Sequence, residues 1–137
     1  MIKIGYEEAF RKYGAKLTNV QWSVCAETPE GHLVISCWRH KLTFTDKQLT
    51  YSDKLSRWSG AGNREISDKL PNAYRNQQGI KLVIAVAEGK AEEGKVDRGE
   101  DGSSIKKHFM VKQEALGTIT EFDGDKFTIK FERDPAF

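Results

Sequence analysis

Ile80-Lys81-Leu82-Val83-Ile84-Ala85-Val86-Ala87 is the stretch on which the fold turns. It is too short for an ordinary buried helix, it is rich in isoleucine and valine, and it carries a single charge. That pattern predicts a strand buried on both faces at the centre of a sheet. Such a strand needs a neighbour on each edge and a covering layer on each face, so the elements around it are read for those roles.

On its C-terminal side, the segment from Glu88 to Ser104 contains four glycines and charges of both signs, and its apolar content is confined to Ala91 and Val96. It reads as a mobile charged loop. Phe109-Met110-Val111 then supplies a short strand. Asp123-Gly124-Asp125, lying between Ile119 and Phe122 on one side and Phe127, Ile129 and Phe131 on the other, is the strongest hairpin signal in the chain.

On the N-terminal side, Asn63 is placed to cap a helix that carries Ile66, Leu70, Ala73 and Tyr74 at helical spacing and ends by Gly79, with Pro71 expected to interrupt it near Asp68. Leu49, Tyr51 and Leu55 are ambiguous between strand and helix. Leu33 to Phe44 reads as a strand, as does Val20 to Val24, with Thr28-Pro29-Glu30-Gly31 turning between them. If these two pair, Trp22, Val24, Trp38, His40, Leu42 and Phe44 share one face, and Cys25, Ile35, Cys37 and Arg39 share the other. Tyr6, Phe10 and Tyr13 recur at helical spacing between Gly5 and Ala15, with an acidic first turn and a basic last one, so the chain opens with a short amphipathic helix. The expected class is α+β: a mixed, mainly antiparallel curved sheet with an N-terminal helix and one central helix packed on it.

The 137 residues suit a single domain over positions 1–137, with the mobile charged loop at about 88–104. No apolar run approaches the roughly 18 residues of a membrane span, and Met1-Ile2-Lys3-Ile4 runs into acidic residues instead of a signal-peptide core, so no membrane partner and a cytoplasmic location are expected. Cys25 and Cys37 fall on the same face, yet two cysteines without a secretory signal read as buried thiols. His32, His40 and His108 have no ligand-like spacing, so no metal and no cofactor are expected.

Three constellations bear on function. In Arg57-Trp58-Ser59-Gly60-Ala61-Gly62-Asn63-Arg64, two glycines precede a helix start, where free N–H groups with Arg57, Arg64, Ser59 and Asn63 suit a phosphate oxygen. Trp38-Arg39-His40, together with Trp58, suits stacking of an unpaired base, although large aromatics more often build cores. Glu88-Gly89-Lys90, directly after the apolar strand, resembles the Glu-x-Lys element with which one large nuclease family positions a metal and a water, with Asp53 or Asp68 as the second acid; Glu88 and Lys90 are the catalytic candidates on that reading. The net charge of +2 neither demands nor excludes a polyanion, but the first sixty residues, which hold every tryptophan, carry nine basic and six acidic groups. The preferred expectation is a nucleic-acid-binding module that is not an enzyme, reading an exposed or modified base with Trp38, Arg39, His40, Arg57, Trp58, Ser59, Gly60, Gly62, Asn63 and Arg64. The alternatives are a metal-dependent nuclease and a small protein-interaction or inhibitor domain with a protein partner.

Overall fold

The structure is a computed structural model that describes residues 4–45, 48–100, 104–112 and 115–132, with Glu132 described by its backbone alone. The predicted central strand is β5 (Ile80–Ala87), with Leu82 and Ile84 almost fully buried. It pairs in parallel with β2 (Leu33–Trp38), which in turn pairs antiparallel with the short edge strand β1 (Cys25–Glu27). Its other edge is shared. β6 (Lys107–Val111) runs antiparallel along its C-terminal half, while β7 (Gly117–Phe122) meets it at Ile80↔Gly117. From β7 the sheet continues through β8 (Lys126–Glu132) and β4 (Gln48–Lys54) to the edge strand β3 (Leu42–Phe44). With α1 (Tyr6–Arg11) at the N-terminus and α2 (Gly60–Arg75) in the centre, the fold is α+β around a mixed, mainly antiparallel sheet.

Strand alternation divides the sheet into two faces with different coverings. The inner face carries Leu33, Ile35, Cys37, Leu82, Ile84, Tyr51, Ile129 and Phe131, and α2 lays Ile66, Leu70 and Ala73 on it. On the outer face α1 covers the end of the sheet around β2, β5 and β6, where Phe10 and Tyr13 pack with Ala26, Val34 and Val83, and the Tyr13 hydroxyl donates to the Leu82 carbonyl at 2.7 Å. Cys25 and Cys37 are buried, unpaired thiols on the inner face, as the strand parity predicts.

Several expectations are corrected. Residues 20–22 form a hydrogen-bonded turn instead of strand, because Asn19 accepts from the Trp22 and Ser23 N–H groups and Ser23 Oγ accepts from the Asn19 N–H. The run from Leu33 to Phe44 is broken by a 3-10 turn at Arg39–Lys41, which inverts the parity, so Leu42 and Phe44 face inward while Trp38 lies on the outer side. The ambiguous stretch is β4, selected by its pairing with β8. α2 starts at Gly60 with Ser59 as N-cap, not at Asn63, and it runs through Pro71 without a break. Burial of Ile66, Leu70 and Ala73 outweighs the one hydrogen bond that proline removes. The helix ends at Arg75, and Gly79 serves another purpose: a Cβ there would sit 2.7 Å from Leu116 Cδ1 and 2.9 Å from His32.

The expected loop at 88–104 contains a helix, α3 (Lys90–Asp97). Its glycines flank it more than they interrupt it. Gly89 and Gly99 take positive φ at either end, Glu92 and Glu93 occupy the first turn, and Glu92 accepts the Lys106 N–H at 3.1 Å. Positions 101–103 of that loop lie outside the described residues, as do Asp46 and Lys47 of the expected turn before β4.

Candidate functional site

The hairpin tip between β7 and β8 organises one end of the molecule. Asp123 Oδ1 accepts the Asp125 and Lys126 N–H groups, which holds its carboxyl below the usual range, and Gly124 supplies the positive φ that the turn requires. Asp125 in turn grips the 3-10 turn Leu55–Arg57: its carboxylate accepts the Ser56 N–H at 2.8 Å and the Ser56 hydroxyl at 3.0 Å, and its carbonyl accepts the Leu55 N–H. These contacts place Arg57 and Trp58.

Arg57 is committed to the fold. Its Nε donates to Asp53 Oδ2 at 2.5 Å, its Nη2 reaches the Tyr51 hydroxyl at 3.2 Å, and Tyr51 itself donates to Asp53 at 2.5 Å. Burial pushes the Tyr51 phenol well above its ordinary pKa, so it remains a donor. The guanidinium also lies 3.9 Å over the Trp58 ring, and Trp58 stacks on Phe127 with 9° between the planes. Both partners of a stacking platform at Trp58 are thus supplied by the protein itself.

The expected phosphate cradle is assembled differently from its sequence reading. Asn63 uses its side-chain amide to donate to the Leu55 carbonyl at 2.8 Å, tying α2 to the turn before it. Gly62 is buried against Trp22: a Cβ there would stand 2.7 Å from the Trp22 carbonyl oxygen, so close packing accounts for the glycine. Gly60 has φ +62° and open space around it, Ser59 makes no side-chain capping bond, and Arg64 is exposed. Arg39 lies over the Phe44 ring at 4.7 Å; His40 Nε2 lies 3.5 Å from Asp97 Oδ1, and the half-buried Trp38 ring lies 6.2 Å from the His40 ring. The ten candidate residues therefore divide between the segment from the 3-10 turn to the start of α2 and the end of β2, and Arg39, His40, Arg57, Trp58, Gly62 and Asn63 have structural partners within the fold.

Glu88 and Lys90 do not join a second acid. Glu88 reaches His108 Nδ1 at 3.4 Å, Lys90 opens α3, Asp53 is held by Arg57 and Tyr51, and Asp68 lies exposed on α2. Among the described residues no three His, Cys, Asp or Glu side chains converge as metal ligands.

Sequence reasoning missed the uncovered part of the outer face, across β7, β8, β4 and β3. Register places Lys54 opposite Lys126, Ser52 opposite Thr128, and Thr50 between Thr43 and Lys130, with Thr118 beyond Lys130. The Ser52 and Thr128 hydroxyls touch at 3.0 Å. A register shift between Ile119 and Glu121 adds Thr120 and the exposed Glu121 to this surface. Neither the Lys54 nor the Lys126 ammonium forms an ion pair among the described residues, and like charges directly opposite on an antiparallel pair repel. A groove of about 750 Å³ runs along the adjoining rim, bounded by Lys54, Lys126, Glu121, Tyr74 and Phe122. The signal was available in the alternation Thr50-Ser52-Lys54 and Lys126-Thr128-Lys130, the polar complement of the core positions.

A second groove, of about 540 Å³ between α2 and the β1–β2 turn, is filled with satisfied groups: Lys69 pairs with Glu27 at 3.0 Å, and Gln78 donates to Glu27 and to the Gly31 carbonyl. No described helix is long and apolar enough to cross a membrane. Compared with known protein families, curated proteins and solved structures, the chain matches none.

Proposed function

We propose that the protein is a nucleic-acid-binding module which grips the phosphate backbone with the uncovered outer face of β4, β8 and β7. The observation that carries this reading is the facing pair Lys54 and Lys126, two cations set opposite each other with no ion-pair partner among the described residues, in a surface that also carries threonine and serine hydroxyls, Lys130, Gln48 and Glu121. Cross-strand repulsion of this kind costs stability, and a bound anion removes it. Hydroxyl and ammonium groups are the side chains that contact phosphate oxygens without reading sequence. Glu121 and, at the hairpin tip beside Lys126, Asp123 are the carboxylates described near this surface, against the three cations Lys54, Lys126 and Lys130. Among the described residues the open sheet holds no stacking aromatic, so the backbone and not the bases supplies most of the affinity there. Two buried free thiols accord with a reducing, cytoplasmic setting.

Fluorescence anisotropy with labelled single- and double-stranded DNA and RNA over a salt series tests the reading. Lys54→Gln and Lys126→Gln should each weaken binding to all sequences and lower the salt slope by about one, the signature of one lost phosphate contact. Absence of any wild-type binding at low salt, where the electrostatic term is largest, refutes it.

A further inference from the structure

The rim groove is lined by two chemically different kinds of group. Tyr74, from the last turn of α2, and Phe122, from the end of β7, line it with rings that meet edge to face, centroids 5.9 Å apart, and both are only partly buried. The facing lysines Lys54 and Lys126 line it too. Of its three acids, Asp53 is held by Tyr51 and Arg57, Asp123 accepts two backbone N–H groups, and the carboxylate of Glu121 has no hydrogen-bond or ion-pair partner among the described residues. A ligand suited to such a groove joins a flat, weakly polar ring to an anion and carries an N–H donor on the ring edge. The volume of about 750 Å³ falls within the range of small-molecule sites.

We propose that the groove takes one unpaired nucleotide: its base lies against Tyr74 and Phe122, its phosphate meets Lys54 and Lys126, and an amino group on its base edge donates to Glu121. This inference rests on the backbone reading above and extends it from the open sheet into the adjoining groove. Stacking on an aromatic ring is tolerant of base identity, whereas a carboxylate acceptor favours bases with an exocyclic amine, cytosine above all. Duplex DNA keeps its bases stacked and paired, so the groove selects single strands or extruded bases.

The experiment compares a short single-stranded oligocytidylate with an abasic oligomer of equal length and charge, in low salt. Wild type should bind the base-bearing strand about tenfold more tightly, the effect of one stacked base. Tyr74→Leu and Phe122→Leu should each bring that affinity down to the abasic level and leave abasic binding unchanged. Glu121→Gln, an exposed substitution that does not threaten folding, should narrow the preference for oligocytidylate over oligothymidylate, because a neutral amide both donates and accepts. Equal wild-type affinity for the two strands overturns the base site while leaving phosphate binding intact. Binding to neither strand overturns the backbone reading itself, and the two failures are thereby told apart.

Discussion

Replacing Asp53 by alanine should lower the melting temperature by about 10 °C. Asp53 receives the Tyr51 hydroxyl and the Arg57 Nε, and its side chain is only 14% exposed. Alanine leaves a fully buried phenol with no charged acceptor, a loss of about 1.5–3 kcal/mol. The Arg57 guanidinium also loses its anion, but with 29% of its side chain exposed it recovers part of its hydration, so the full 3–5 kcal/mol for breaking a buried pair does not apply. A total of about 3 kcal/mol follows, and with an unfolding entropy of about 2.1 cal/mol/K per residue the corresponding shift is about 10 °C. Circular dichroism melts and urea titration measure it. Tyr51→Phe, which keeps the Asp53–Arg57 pair, should cost less, and the double variant should fall short of the sum because the two groups share one network. If Asp53→Ala melts within about 2 °C of wild type, the network does not hold Arg57 and Trp58 in place, and the account of how this end of the molecule is built fails.

Gly62→Ala should destabilise by about 1–3 kcal/mol despite alanine's better helix propensity, because the added Cβ meets the Trp22 carbonyl; an unchanged melt would show that close packing against Trp22 does not require the glycine. Glu27 has its carboxyl held below the usual range, first by the hydrogen bond from Lys69 and then by that from Gln78. The folded-state pKa is depressed, so its contribution is complete above the unfolded carboxyl pKa and fades as pH falls through the folded value. A carboxyl titration followed by NMR should find Glu27 depressed and show Lys69→Met raising it; equal values in the two proteins would remove the ion pair from the account.

The fold was legible where one physical signal dominated. Ile80 to Ala87 is apolar on both faces, and Asp123-Gly124-Asp125 leaves few alternatives to a hairpin, so both were readable without neighbours. Pro71 was misread because local preference favours a break while the packing of Leu70 and Ala73 against a distant sheet favours continuity, and only the second is non-local. α3 was hidden for the opposite reason: it buries no residue, so it has no apolar stripe to read. At the candidate site, Arg57, Trp58 and Asn63 were recognised as a group, but their partners Asp53, Tyr51 and Leu55 reach them through the turn that Asp125 holds. Lys54 and Lys126 are 72 positions apart, and nothing short of the β4–β8 register brings them face to face.

The sharing of β5 among three partners bears on how the chain acquires its shape. The β3–β4 and β7–β8 pairs are local and close small loops, whereas Leu33 finds Ile80 only after the 47-position interval between them has been drawn together. Parallel pairing at that separation is slow compared with hairpin closure. During synthesis β2 has only the three residues of β1 beside it until β5 emerges, and it then offers Leu33, Val34 and Ile35 along an unsatisfied edge. The nascent chain therefore carries this open edge until Ile80 to Ala87 leaves the ribosome, and conditions that stall translation in that interval should deposit the protein in aggregates even though the finished fold is sound.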